Sequence, residues 1–341
     1  MQVGMFLHKI APPQPDKPDF SVTIPVRISK MKGKFDLYFY VPDDYEENKK
    51  KKGGKRYPCV VNYHGGGFTL GHAQDDARWI TTVKNLVGCV VVSVDYRLAP
   101  EHPFPTAVED GADAVLYLAK HAEKYHLDPD RMALSGFSSG GNMTLTVPLL
   151  LQNEVPDRIG PDESQEGLVQ RSKPVHTNTD SSVTTTTTIV KERDMPNIRG
   201  VISFYPPTDY TQTREQRRAT NAAKDQQLSA VFTELFDDSY LHPPTLDLAN
   251  PLLSPGQAPT EMLVDLPKRI VIIACEYDML LDEAKKFRDR LEKETGKEVV
   301  FWEVPEVPHA WDKAPNPFKT PESAKEYYRR ACDELKKMFE V

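Results

Sequence analysis

The stretch LSGFSSGGN, Leu134–Asn142, packs three glycines and three serines into nine residues. Its composition is that of a linker, but its neighbours are not. RMALSGF (Arg131–Phe137) reads as a buried strand. Asn142–Gln152 reads as a helix, with Met143, Leu145, Val147, Leu149, Leu150 and Leu151 supplying apolar surface. A linker would not join two apolar elements. A phosphate loop needs Gly-Lys-Ser/Thr and a dinucleotide loop needs Gly-x-Gly-x-x-Gly; this run matches neither. What remains is Gly136-Phe137-Ser138-Ser139-Gly140, a Gly-x-Ser-x-Gly turn between strand and helix. In such a turn the serine takes a strained backbone conformation that lifts its hydroxyl above the sheet edge. The flanking glycines let neighbouring backbone pack without a Cβ clash. The helix that follows aims its positive N-terminal end at the spot where negative charge would develop.

Outward from this turn the chain repeats one pattern. KFDLYFYVP (Lys34–Pro42) alternates in polarity. YPCVVNYH (Tyr57–His64), GCVVVSVDY (Gly88–Tyr96), RGVISFY (Arg199–Tyr205), RIVIIAC (Arg269–Cys275) and KEVVFWEV (Lys297–Val304) are short and β-rich. Continuous apolar runs of this length suit strands buried on both faces of a parallel sheet. Helical periodicity fills the gaps at Ala107–Tyr125, Asp282–Thr295 (with Gly296 as a stop) and Pro321–Phe339. Strands alternating with helices predict an α/β fold with a doubly wound, mostly parallel sheet of about eight strands. Residues 152–197 break the pattern. They are polar, carry VTTTTTIV, lack a helical period, and read as a mobile surface insertion.

A second glycine run strengthens the reading of the first. NYHGGGF (Asn62–Phe68) follows the strand Tyr57–Tyr63. Three glycines after a strand can present bare N–H groups, so Gly65, Gly66 and the residue after the nucleophile, Ser139, are the expected oxyanion donors. In a fold built on this elbow the chain order is serine, acid, histidine. His309, in VPHAWDK, follows the last predicted strand and is the expected base. His64 precedes the serine and reads as a loop-shaping residue. The acid should follow the preceding strand, where CEYDMLLDE offers Glu276, Asp278, Asp282 and Glu283. Asp282 and Glu283 suit the N-cap and first turn of the next helix. Asp278 is therefore the expected acid, with Glu276 in reserve.

The bulk numbers set limits. The 341 residues are 39% hydrophobic and carry a net charge of -7, which argues against a nucleic-acid or anionic-membrane binder. The basic cluster NKKKKGGKR (Asn48–Arg56) reads as a solvated turn. The four cysteines, Cys59, Cys89, Cys275 and Cys332, show no metal-binding spacing and read as buried free thiols. There is no apolar leader and no run near ~18 apolar residues, so a cytoplasmic protein without a transmembrane segment is expected. The Asn142-Met143-Thr144 glycosylation match falls in the buried helix and should be silent.

Together HGGGF, DYRLAPEHPFPTAVED (Asp95–Asp110), SGFSSGGN, YDMLLDE and HAWD resemble, in order and approximate spacing, the hormone-sensitive-lipase-like carboxylesterases of the α/β-hydrolase fold. The likeness runs from about Phe35 to Lys313, outside the insertion. It implies a catalytic serine, acid and histidine at Ser138, Asp278 and His309, and oxyanion glycines at Gly65 and Gly66. It also implies a single domain over residues 1–341, with a helical cap from about residues 1–30 and 208–245. Two positions depart from the family's usual pattern: Phe137 stands where many members have Asp, and Ala310 where many have Gly. Both point to a different pocket wall. The expected reaction is hydrolysis of small to medium carboxylic esters, with no metal or cofactor. The partner is a small-molecule ester, and the oligomeric state, monomer or homodimer, stays open. Two alternatives keep the fold: an acyltransferase, lactonase or cyclase of a biosynthetic pathway, or a non-catalytic small-molecule receptor.

Overall fold

The computed structural model describes residue 8 and residues 10–153, 196–314 and 316–340. The expected insertion, 152–197, lies outside the described residues apart from its two ends, as does most of the chain before Ile10. Eight strands form one sheet: β1 (Phe20–Pro25), β2 (Lys34–Tyr40), β3 (Tyr57–Tyr63), β4 (Val90–Asp95), β5 (Leu127–Phe137), β6 (Ile198–Phe204), β7 (Arg269–Tyr277) and β8 (Val299–Pro308). Their spatial order is β1-β2-β4-β3-β5-β6-β7-β8. β2 runs antiparallel to both β1 and β4; every other neighbouring pair is parallel. Phe20–Pro25 thus joins the sheet as its edge strand. Of the segment 1–30 expected in the cap, Phe20–Pro25 therefore belongs to the sheet: β1 alternates exposed residues with half-buried Phe20 and Val22 and buried Ile24, the pattern of a strand with one wet face.

The apolar runs of β3 to β7 sort into two cores by the two-residue period of a strand. In β5, Met132 and Leu134 enter one core, and Ala133 and Phe137 the other. The first core is closed by α3 (Thr106–Lys120), α4 (Ser139–Asn153) and α8 (Leu281–Thr295). The second is closed by α2 (Ala77–Val87) and α9 (Glu322–Phe339). A short α1 (Tyr45–Lys49) precedes β3, and α7 (Thr260–Val264) precedes β7. Two more helices, α5 (Arg214–Thr220) and α6 (Ala230–Tyr240), leave the sheet between β6 and β7 and lie over the C-terminal ends of the strands.

The DYRLAPEHPFP block turns the chain out of β4. Arg97 makes a bidentate pair with the fully buried Asp110, Nη2 to Oδ1 at 2.7 Å and Nε to Oδ2 at 2.9 Å. All four cysteines are buried and free. Asn142 is buried too, its amide donating to the carbonyls of Pro207 and Leu253. Among the described residues no helix is long and apolar enough to cross a membrane.

Candidate active site

Ser138 stands between β5 and α4, with Gly136 and Gly140 two residues to either side, and the neighbouring backbone makes both glycines obligatory. A Cβ at Gly136 would overlap the Gly140 carbonyl, and one at Gly140 would overlap the Tyr63 carbonyl of β3. The Gly-x-Ser-x-Gly spacing therefore reflects three backbone segments in direct contact. Ser138 itself is left-handed, with φ 53°, a region that costs a side-chain-bearing residue free energy. Two backbone bonds hold it there: its N–H donates to the Phe204 carbonyl at 2.9 Å, and its carbonyl accepts from Asn142 N at 2.9 Å.

The expected acid and base meet through strand register. Tyr277 at the end of β7 pairs with Pro308 at the end of β8. The next residue on each strand is Asp278 and His309, so the parallel sheet delivers the two side chains side by side. His309 Nδ1 lies 2.6 Å from Asp278 Oδ2, and His309 Nε2 lies 2.9 Å from Ser138 Oγ. The other Asp278 oxygen accepts from Leu280 N at 3.1 Å. Both the imidazole and the carboxylate are buried. A carboxylate only accepts, so the hydrogen of this imidazole sits on Nδ1 and Nε2 is free to accept from the serine hydroxyl.

The loop after β3 runs along the elbow. A Cβ at Gly65 would lie 2.9 Å from the Phe137 carbonyl and 3.4 Å from Ser138 Cβ. Gly66 has φ 128°, and its carbonyl accepts from Thr69 and Leu70. His64 is buried, its Nδ1 2.8 Å from the Gly65 carbonyl and its ring stacked on Tyr96 at 4.2 Å. Ser139 opens α4. All six sequence-expected site residues, Ser138, Asp278, His309, Gly65, Gly66 and Ser139, thus converge at the C-terminal edge of the sheet.

The reserve acid points elsewhere: Glu276 accepts from Glu306 N at 2.7 Å. Asp282 and Glu283 do occupy the first turn of α8, although its N-cap position is Leu280 rather than Asp282. Glu283 is buried. It accepts from Thr208 N at 2.6 Å and Asp209 N at 3.2 Å, and pairs with Arg217 Nε of α5 at 2.9 Å. Burial pushes its carboxyl up to about 7 even against the neighbouring guanidinium.

The cleft above Ser138 and His309 is walled by Phe68, Tyr210, Arg214, Phe236, Tyr240 and Met279. Periodicity could not have singled out the residues from α5 and α6, because nothing local marks which face of a surface helix meets a site. Phe236 lies so close to Gly67 that its ring occupies the space a side chain there would need. Arg214 is neutralised by Asp237, Nε to Oδ2 at 2.7 Å.

Beneath Ser138, Asp278 and His309 lies a polar cluster that sequence reasoning missed. Asp312, fully buried, accepts from Tyr205 Oη at 2.6 Å and Tyr328 Oη at 2.5 Å. Lys313 Nζ lies 3.2 Å from Asp312 Oδ2, 2.9 Å from Asp76 Oδ1 and 3.8 Å from the centroid of the Phe137 ring. Burial alone would raise the Asp312 carboxyl. Lys313 and the two hydroxyls outweigh it and hold the group below its ordinary range. The residues stood in plain sight in HAWDK, but their partner Asp76 is far away in the chain.

A family model described as alpha/beta hydrolase fold matches residues 60–313. The chain belongs to that family. Among curated relatives, Lipase 2 of Moraxella sp. (strain TA144) is 30% identical over 253 residues, 74% of this chain and 54% of the relative. The carboxylic ester hydrolase LipN of Mycobacterium tuberculosis is 31% identical over 245 residues, 71% of this chain and 54% of the relative. The chain thus spans about half the length of these relatives. Among solved structures, a Pyrobaculum calidifontis esterase superposes with a TM-score of 0.71 at 25% identity, covering 99% of this chain and 90% of that one.

Proposed function

We propose that this protein hydrolyses carboxylic esters, with Ser138 as nucleophile, His309 as general base and Asp278 as the acid that orients it. The observation that carries the reading is one imidazole bonded on one nitrogen to a buried carboxylate and on the other to a serine hydroxyl at a strained strand-to-helix turn. The fold family and the names of its relatives, a lipase and a carboxylic ester hydrolase, support it.

The geometry supports the following course of reaction. Ser138 Oγ attacks the acyl carbon while His309 Nε2 takes its proton. The tetrahedral oxyanion is received by the N–H groups of Gly65, Gly66 and Ser139, with α4 adding the positive end of its dipole. The imidazolium, stabilised by Asp278, returns the proton to the leaving alkoxide, which departs as the alcohol. Water then repeats the sequence on the acyl-enzyme: His309 takes its proton, the acid is released and Ser138 Oγ is reprotonated.

Residues 208–245, carrying α5 and α6, act as a cap that walls the cleft. The Phe236 ring against Gly67 narrows it and favours small acyl groups over long ones. Replacement Ser138→Ala is the direct test. It should lower turnover of p-nitrophenyl acetate by about 10³–10⁶-fold while leaving the circular-dichroism spectrum unchanged. A variant as active as the native protein would refute the mechanism.

A further inference from the structure

The turn that follows His309 runs against its own backbone preference and leads directly into the buried cluster. Ala310, the residue after the base, has φ 59°. Left-handed backbone is disfavoured for any residue with a Cβ, so an isolated alanine would relax toward negative φ. That relaxation would swing the adjacent imidazole. The next two residues after Trp311 are Asp312 and Lys313, which close a short 3-10 turn. Both are tied through their side chains to elements outside the loop, as Trp311 is through its indole bond to Ser323. Asp312 is bonded to Tyr205 of the β6 end and Tyr328 of α9, while Lys313 bridges to Asp76 at the start of α2 and caps the Phe137 ring. Asp76 is in turn bonded by Asn62 of β3 at 2.9 Å. The Tyr205 ring, fixed through its hydroxyl, packs against the His309 imidazole with centroids 4.6 Å apart. Five elements around the triad therefore meet in one charged knot below it.

We infer that Asp312 is a positioning residue for the reaction: through Tyr205, Tyr328 and Lys313 it locks the His309 turn in the left-handed conformation that points Nε2 at Ser138. The inference rests on the ester-hydrolysis reading above. Asp312 touches neither Ser138 nor His309, so it acts only through the residues it holds. If the lock is released, the alanine drifts, the imidazole leaves the serine, and the chemical step slows while substrate binding does not. A glycine at 310 has no such bias, because it adopts positive φ without a Cβ penalty. Glycine should then make the lock dispensable.

The test is a coupling experiment in steady-state kinetics on p-nitrophenyl acetate. Asp312→Asn keeps the volume and leaves Lys313 paired with Asp76. It should lower kcat about tenfold, about 1.4 kcal/mol in the barrier, with KM changed by less than about twofold. Ala310→Gly alone should leave kcat within about twofold of native. Combined with Asp312→Asn, it should restore kcat to within about threefold of native. Tyr328→Phe removes one hydrogen bond to Asp312 without reaching His309. It should show a smaller loss that the same glycine repairs, and it decides the matter if Asp312→Asn does not fold. Native kcat in both lock variants overturns the inference, and so does a loss that Ala310→Gly leaves untouched, since that would mark a general structural defect. A native protein with no turnover of any ester would instead overturn the ester-hydrolysis reading.

Discussion

At the scale of single residues, the site depends on which proton sits on which nitrogen. Asp278 accepts from His309 Nδ1 at 2.6 Å and is pinned from the other side by Leu280 N. Asp278→Asn preserves shape but can donate to Nδ1, which favours the wrong tautomer. It should lower kcat by about 10³–10⁴-fold with little change in melting temperature. Steady-state kinetics with a thermal melt checks both halves. These residues were legible because each sits at the end of a strand with a recognisable neighbour: the elbow for Ser138, YDMLLDE for Asp278, HAWD for His309. The sequence alone could only prefer Asp278 over Glu276. The fold explains the preference, since Asp278 follows the last residue of β7 paired with β8, whereas Glu276 turns to the backbone of Glu306. The roles of Asp312 and Lys313 were not legible, because a buried charge is defined by partners that only the tertiary structure supplies.

At the scale of elements, two contacts deserve separate tests. The first is the packing of β5, α4 and β3 at the elbow. Gly140→Ala would drive a methyl group into the Tyr63 carbonyl. Backbone cannot yield as a side chain can, so the variant should be destabilised by about 1–3 kcal/mol or more and lose activity with it. Chemical denaturation measures the first and ester turnover the second. The other contact is the buried pair between Glu283 of α8 and Arg217 of α5, which ties the helices over the cleft to the body. Arg217→Met should cost about 1–3 kcal/mol near neutral pH in chemical denaturation, because without its cation the buried Glu283 takes up a proton and loses its ion pair.

The same pair gives a pH dependence whose sign is set by burial. The folded-state value of Glu283 is raised to about 7 from an ordinary 4.5. Its contribution to stability is fully present below pH 4.5, where both states are protonated. It is lost as pH rises through about 7, because the unfolded chain ionises freely while the folded one resists. Glu283→Gln removes this term. The melting temperature of the variant should therefore gain on that of the native protein between pH 5 and pH 8; parallel curves would contradict the assignment. Element types were the most readable level of the sequence. Apolar or alternating runs named seven of the eight strands. The missing one, β1, alternates Phe20, Val22 and Ile24 with Ser21, Thr23 and Pro25, but the family resemblance placed its segment in the cap. The boundaries of α5 and α6 were not readable, because such helices are set by what they cover. α6 still leaves Val231 71% and Leu235 43% exposed while its Phe236 faces the cleft.

At the scale of the whole molecule, the sheet sums these parts. Two cores on opposite faces fix β3, β5, β7 and β8 in register, and register alone brings the ends of four strands to one edge. The strained turns at Ser138 and Ala310 persist because the packing around them over-determines their geometry. On the proposed mechanism, this edge makes Ser138, and no other serine, the nucleophile. Peptide mass spectrometry after reaction with a fluorophosphonate tests it most directly. One adduct per chain is expected, on Ser138, forming about 10³-fold more slowly in His309→Ala. An adduct on Ser135, Ser139 or a serine outside the elbow, or ester turnover by a native protein that takes up no label, would contradict it.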